Sequence, residues 1–120
     1  MNSVEKIFES EYLFLCLLWE TEPVTSPELV KLCEKQFGWK KSTTYTVIKK
    51  LSDKGIVKSE KTIVESLVSK EEVDWQAGNE LLERTAKGNV PSFLATFLKD
   101  RQLTREEAEH IKKIIDESCR

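Results

Sequence analysis

The chain has 120 residues, of which 39% are hydrophobic and 33% are charged. These proportions exclude a disordered chain and are typical of a helix-rich protein of one domain, or of one domain with an appendage. No apolar run approaches the roughly 18 residues of a membrane-spanning helix, and no signal peptide is visible, so we predict a cytoplasmic protein. The net charge is −2, yet residues 40–61 hold seven lysines against two acids. Such a patch can bind a polyanion.

Residues that could carry chemistry are few and widely spaced. The cysteines are Cys16, Cys33 and Cys119, and the one histidine is His110. Metal sites usually need ligands two to four residues apart, so we expect no metal and no cofactor. Cys16 and Cys33 lie among apolar residues and are predicted to be core thiols, while Cys119 is either inert or a reactive terminal thiol. Because no phosphate loop or nucleophile–base pattern is present, we predict no enzyme.

The first two predicted helices are short, and each has a side that is expected to be buried. The first spans about residues 10–20 and is expected to turn Leu13, Cys16 and Leu17 inward. The capping box Thr25-Ser26-Pro27-Glu28, with its early proline, opens the second helix. Phe37-Gly38 ends this helix, so the two helices precede a third that begins near residue 40.

The third predicted helix has two different faces. Thr44, Val47, Ile48 and Leu51 recur at helical spacing and form an apolar face; Ser42 is the better cap by chemistry, and Lys54-Gly55 supplies the stop. On the opposite face, small hydroxyls allow close approach to base edges and lysines can meet phosphates. The DNA-binding candidates on this face are Lys40, Lys41, Ser42, Thr43, Tyr45, Thr46, Lys49 and Lys50. The alternative is an ordinary solvated face that lacks acids.

After Gly55 the pattern changes from helical to extended. Residues 56–59 and 62–67 are predicted to be β-branched strands around a turn at Glu60-Lys61. Three helices followed by a hairpin are the order of a winged helix-turn-helix, whose third helix enters the major groove. In that arrangement the hairpin touches the flanking backbone, so Lys58 and Lys61 join the candidates. We predict a winged helix-turn-helix DNA-binding domain over residues 1–68.

Residues 69–120 are predicted to form three further helices. Capping boxes begin at Ser69 and Thr104, and Pro91 opens the helix between them. Such helices cannot bury their apolar sides within about 50 residues, whereas two copies could cover each other. We predict a C-terminal three-helix dimerisation domain, with contacts from Val73, Leu81, Phe93, Leu94, Phe97, Leu98, Ile111, Ile114 and Ile115. The alternative is that the helices fold back on the N-terminal domain. The fold class is therefore mainly α with a small β-hairpin.

Several motifs resemble one protein family in their order and spacing. They are Leu17-Leu18-Trp19 before Pro-Val-Thr-Ser, Gly38-Trp39 before a Thr-rich helix, Lys49-Lys50-Leu51 before Lys54-Gly55, and the segments SFLATFL (92–98) and LTREE (103–107). Over nearly its whole length the chain is similar to the BlaI/MecI/CopY family of bacterial winged-helix repressors, which includes the penicillinase repressors. The resemblance implies a homodimer that binds a palindromic DNA operator and represses nearby genes.

The same resemblance implies a route of induction. In that family a membrane sensor-protease responds to β-lactam, and the repressor is cut at an Asn-Phe bond in its dimerisation region. The matching bond here is Thr96-Phe97, which keeps the Phe but not the Asn. Other inducing signals left open are a ligand in the dimer core and oxidation of Cys119. The copper-responsive branch has C-terminal Cys-x-Cys pairs, which are absent here, so copper sensing is not expected.

The wing departs from the family pattern and leaves two functions open. It lacks the usual Gly, Arg and Tyr, so its DNA contacts are either reduced to Lys58 and Lys61 or lost. The main prediction is a sequence-specific repressor that occludes a promoter. The alternative is a winged-helix module for protein contacts, in which alanine at Thr46 and Lys49 would leave partner binding unchanged.

Overall fold

Helices α1 to α6 and strands β1 to β3 build the part of the chain that the structure, a computed structural model, describes (residues 6–120). In chain order they are α1 (Glu9–Thr21), β1 (Val24–Thr25), α2 (Ser26–Phe37), α3 (Lys41–Asp53), β2 (Val57–Glu60), β3 (Ile63–Ser66), α4 (Lys70–Ala86), α5 (Val90–Leu98) and α6 (Arg105–Ser118). The predicted fold class is confirmed. Two compact units divide after Gly78, inside α4.

The first unit has a continuous apolar core. Its largest fully buried apolar side chains are Phe14, Leu15, Leu18, Leu29, Leu51 and Ile56. Burial of Thr44, Val47, Ile48 and Leu51 confirms the apolar face that was predicted for α3. This face fixes α3 to the core and therefore turns its other side to solvent.

The prediction for the inward side of α1 was partly wrong. Leu17 is buried, but Leu13 is 43% exposed and Cys16 is only half-buried. The buried arc of α1 is centred between Phe14 and Leu18. At about 100° per residue, Leu13 falls outside that arc. Several apolar residues in a row left the direction of the helix undetermined by periodicity.

The helix ends agree with the predicted signals at all but one position. Thr25 accepts a hydrogen bond from the Glu28 backbone N–H at 3.3 Å, as expected for the start of α2. Helix α3 begins one residue after Lys40, whose carbonyl accepts from the amides of residues 43 and 44. The prediction of Ser42 as the cap was therefore wrong, because Ser42 already lies in the first turn. At the other end, Gly55 has a φ of 73°, a conformation that favours glycine, and stops the helix.

The sheet contains one strand that the sequence did not predict. Strand β3 lies between β1 and β2, and both pairings are antiparallel. Strand β1 pairs Val24 with Val64. It is two residues long, too short to show an alternating pattern. Only the return of β3 beside it makes it a strand.

The wing turn lies one residue later than predicted. Residues Lys61 and Thr62, rather than Glu60 and Lys61, occupy the turn between β2 and β3, and they have φ values of 50° and 69°. Two positive φ angles in a two-residue hairpin turn favour Asn-Gly. A β-branched residue such as threonine is strained there. The turn therefore stores strain that a substitution can remove.

Replacing Lys61 with Asn and Thr62 with Gly is expected to stabilise the protein by about 1 kcal/mol, because both residues accept positive φ. Urea unfolding followed by circular dichroism measures the change. The control Thr62→Ala keeps a Cβ at positive φ and is expected to stay within about 0.5 kcal/mol of the parent. A double variant no more stable than the parent would contradict this account of the turn.

The second unit, Asn79–Arg120, has helix caps but no buried residue. Thr104 and Glu107 exchange hydrogen bonds of 3.0 and 3.1 Å, which confirms the predicted capping box of α6. The backbone N–H of Thr104, together with its hydroxyl, lowers the pKa of Glu107. Asn89 caps α5 by accepting from the Ser92 N–H at 2.8 Å. Within residues 6–120, no helix is long and apolar enough to cross a membrane.

Candidate nucleic-acid interface

The outward face of α3 and the residue before it are basic and rich in hydroxyls. All eight candidates predicted there are exposed: Lys40, Lys41, Ser42, Thr43, Tyr45, Thr46, Lys49 and Lys50. No acid occurs between Lys40 and Ser52. The face therefore combines positive charge with small groups that allow close approach to a polyanion.

Two contacts organise the middle of this face. The Thr46 hydroxyl donates to the Ser42 carbonyl at 2.8 Å. Its proton is thereby used, and the side chain presents an acceptor oxygen and a methyl group. These groups suit an exocyclic amine of a base or a thymine methyl in the major groove. The Lys41 ammonium lies 5.9 Å from the centre of the Tyr45 ring, a cation–π distance.

The lysines near the end of α3 have different surroundings. Lys49 lies 4.0 Å from Asp53, and both side chains are more than two-thirds exposed, so the pair is weak. By contrast, Lys54 donates to the Glu11 carboxylate at 2.7 Å and to the Lys6 carbonyl at 2.8 Å. Lys49 remains available to a phosphate. Lys54 instead ties the end of α3 to α1, a role that was not predicted, although Glu11, an acid directly before the apolar run of α1, was a signal for it.

The wing is less basic than its lysines suggest. The Lys58 ammonium is 3.2 Å from the Glu60 carboxylate, and Lys58 is paired across the strands with Glu65. The outer face of the hairpin therefore holds Lys58, Glu60, Ile63 and Glu65. Lys61 is exposed in the turn beyond the strands. Of the two wing candidates, Lys61 is the better placed for a phosphate.

The three cysteines have distinct surroundings. Cys33 is buried, as predicted, whereas Cys119 is exposed. Burial raises the pKa of the Cys33 thiol, and the neighbouring Thr44 hydroxyl partly offsets this shift. Within the described ranges, no group of histidine, cysteine and acidic side chains could hold a metal ion.

The residues predicted to form a dimer surface lie in both units. Val73 belongs to the first unit and is only 4% exposed. The others belong to the second unit; Leu81, Phe93, Leu98 and Ile111 are half-buried, while Leu94, Phe97, Ile114 and Ile115 are exposed. An open groove of about 450 Å³ lies between α4 and α5 and is lined by Leu81, Phe93 and Phe97 among others. Sequence reasoning did not select Val90 and Leu103, which are also exposed.

The bond between Thr96 and Phe97 lies inside α5. The Thr96 hydroxyl donates to the Ser92 carbonyl at 3.2 Å. The Phe97 ring packs edge-on against Phe93, with 4.9 Å between their centres, and is 46% exposed. The peptide bond is thus held in a helix while the aromatic side chain is accessible.

These features together define a class of protein. Helices α2 and α3 form a helix-turn-helix, α1 supports it, and β2 and β3 form the wing. A basic face on the third helix of such a domain is the arrangement of a winged-helix DNA-binding protein.

Comparison with known proteins gives the family. The profile of the penicillinase repressor family matches residues 7–117, so the chain belongs to this family of transcriptional repressors. The methicillin resistance regulatory protein MecI of Staphylococcus aureus strain Mu50 is 22% identical over 119 residues, covering 96% of this chain and 97% of that protein. The penicillinase repressor of Bacillus licheniformis is 22% identical over 121 residues, covering 98% and 94%.

A solved structure supports the winged-helix fold. The solution structure of the DNA-binding domain of the repressor BlaI is similar with a TM-score of 0.54 and 18% sequence identity. The match covers 60% of this chain and 93% of that domain. The family and the fold together make this chain a transcriptional repressor of the penicillinase repressor type.

Proposed function

We propose that this protein represses transcription as a homodimer that binds a palindromic operator through α3. The observation that carries the proposal is the exposed α3 face, which has lysines and hydroxyls but no acid before Asp53. The buried residues on the opposite side hold this face rigidly. Bound across a promoter, such a dimer blocks transcription by occupancy, without chemistry of its own.

Different residues of the α3 face would have different roles. Ser42, Thr43, Tyr45 and Thr46 lie at its centre and would approach base edges. The flanking lysines, Lys40, Lys41, Lys49 and Lys50, would bind phosphates and fix the register. Lys61 would extend these contacts from the wing. Lys58, which is balanced by acids, would contribute little.

Dimerisation is supported by the composition of the second unit. A unit of about 40 residues rarely folds alone without a disulfide, a metal or a partner. All three cysteines are free, and no metal-binding group is present among residues 6–120. A second copy that covers Leu94, Phe97, Ile114 and Ile115 and fills the groove beside α4 would supply the missing burial. Val73 is already buried in the first unit, so we leave it out of this surface.

Release from DNA would follow loss of the dimer. The proposed signal is cleavage of the bond between Thr96 and Phe97 by a membrane sensor-protease, at the position that matches the Asn-Phe bond of the family. Since α5 has nine residues, it is a marginal helix by itself and can open locally. Cleavage there would split the proposed dimer surface. Each separated copy would then bind its half-site independently, and therefore more weakly than the dimer binds both half-sites.

Sequence-specific DNA binding is tested by fluorescence anisotropy on DNA from upstream of the gene, with a scrambled duplex for comparison. The variant Thr46→Ala, Lys49→Ala is expected to weaken binding to the native DNA about 10- to 100-fold, since a lost base contact costs about 1–3 kcal/mol. The control Thr21→Ala, Lys113→Ala removes the same residue types elsewhere. Thr21 makes the same kind of bond, to the Leu17 carbonyl at 2.9 Å.

The outcomes separate the two candidate functions. Preferential binding to the native DNA, lost in the first variant and kept in the control, supports the repressor. Equal binding to both duplexes contradicts sequence-specific reading of the tested DNA. Absence of binding at low salt would contradict the repressor and favour the alternative, a winged-helix module for protein contacts. The structural observation behind this alternative is the pair of acids, Glu60 and Glu65, on the outer face of the wing.

A further inference from the structure

Helix α4 passes from one compact unit into the other without interruption. It runs from Lys70 to Ala86, and the division between the units follows Gly78. The part of α4 before Gly78 is held to α1 by side-chain hydrogen bonds.

The first turns of α4 are clamped to α1. The Tyr12 hydroxyl donates to the Asp74 carboxylate at 2.6 Å and accepts from the Lys70 ammonium at 2.9 Å. Lys70 also binds Asp74 and holds the pKa of that carboxyl below its usual value. Just before the helix, the Trp19 indole N–H donates to the Val68 carbonyl at 3.0 Å. This part of α4 therefore belongs mechanically to the DNA-binding unit.

Gly78 lies at the end of the clamped part, in the interior of α4. Glycine is the least favourable helix residue after proline, because it has the most backbone freedom to lose. A close neighbour would explain a glycine here, but a Cβ built on Gly78 meets no atom within 4 Å. Its φ is not in the left-handed region either. Neither packing nor backbone geometry within the described chain requires glycine at this position.

We propose that Gly78 is a hinge in α4 that determines which spacings between operator half-sites the dimer accepts. The inference rests on the proposed operator binding by a homodimer. Because the residues before Gly78 are clamped, bending there moves the whole DNA-binding unit relative to the second unit. Half-site centres follow the helical repeat of about 10–10.5 base pairs, so inserting two base pairs rotates one half-site by about 70°. A hinge lets the two copies follow such a change.

The experiment compares Gly78→Ala with the parent on operators whose central spacer is native or changed by one or two base pairs. The variant is expected to bind the native spacing within about twofold of the parent, and to lose about tenfold more affinity when the spacer changes by two base pairs. Binding to a single half-site and the dimerisation constant are expected to stay unchanged. The midpoint of thermal unfolding is expected to rise by about 3 °C, because alanine stabilises the helix.

Two further variants are designed to increase flexibility around Gly78 instead of reducing it. Ala77→Gly adds a second flexible residue beside the hinge and is expected to widen the range of accepted spacers. Tyr12→Phe removes the hydroxyl of the clamp but keeps the ring beside Trp19, whose centre is 6.1 Å away. It is expected to widen the range as well. A purely structural loss would weaken all spacings, and the single half-site, equally.

Hydrogen exchange tests the hinge without DNA. In the parent, the amides of residues 79–82 are expected to exchange faster than those of residues 74–77, and Gly78→Ala is expected to slow them. Equal exchange along α4 together with identical spacer profiles would overturn the proposal. So would a dimerisation defect in Gly78→Ala, which would make the glycine a point of close approach between copies. If the parent itself binds two half-sites no better than one, the proposed function fails, while the exchange data still decide the hinge.

Discussion

Operator binding is expected to weaken by roughly 10³- to 10⁵-fold when the salt concentration rises from about 50 to about 200 mM. The reason is counterion release, which scales with the number of phosphates that the protein neutralises. Lys40, Lys41, Lys49 and Lys50 are exposed in each copy, and together they give eight cations in a dimer. Anisotropy titrations at four salt concentrations give the slope. A flat response would contradict phosphate binding by this face.

A charge-matched pair of variants assigns the salt effect to α3. Lys49→Gln, Lys50→Gln removes two phosphate ligands per copy and is expected to reduce the slope by about 3.6 in a dimer, at about 0.9 per contact. Lys112→Gln, Lys113→Gln changes the net charge equally, at adjacent exposed lysines of α6. The control is expected to leave the slope nearly unchanged. Equal effects of the two variants would mean that only the total charge matters.

Lys54→Met is expected to destabilise the protein by about 3 kcal/mol, because it leaves the Glu11 carboxylate buried without its cation. Glu11 is 2% exposed, and the Lys54 side chain is 20% exposed at a distance of 2.7 Å. The backbone N–H of Phe8 also donates to the carboxylate, but one hydrogen bond does not neutralise the charge. Chemical denaturation of the full chain measures the loss.

Two further variants separate burial from charge. Lys58→Met breaks the exposed pair with Glu60 and is expected to change stability by less than about 0.5 kcal/mol. Adding Glu11→Gln to Lys54→Met removes the unpaired charge and is expected to recover part of the loss. If Lys54→Met and Lys58→Met cost the same, the Glu11 pair does not anchor α3 to α1.

Features that depend on a few consecutive residues were predicted from the sequence. The buried face of α3 follows from helical periodicity, and the caps at Thr25 and Thr104 follow from side chains three residues apart. The glycine stop at Gly55 has the same local origin. The eight residues on and just before the exposed side of α3 could therefore be named in advance, and all of them are exposed. Their contact with DNA remains a prediction.

Local patterns failed where two solutions had similar local energies. The run of apolar residues in α1 gave several directions for its buried side, and the choice of Leu13 was wrong. The cap of α3 could be Lys40 or Ser42, and backbone hydrogen bonds to the Lys40 carbonyl selected Lys40. The turn of the wing moved by one residue because pairing of β2 with β3 outweighs the strain at Thr62.

The sequence by itself determined the winged-helix order, the caps at Thr25 and Thr104 and the exposed chemistry of α3, since each depends on residues within about one or two turns. Tertiary structure alone decided the rest. It joined Glu11 to Lys54, which are 43 positions apart, and Tyr12 to Asp74, which are 62 apart. It also set Lys58 opposite Glu65 and paired β1 with β3. Such contacts depend on the path of the whole chain, and the hydrophobic periodicity of a single segment does not specify that path.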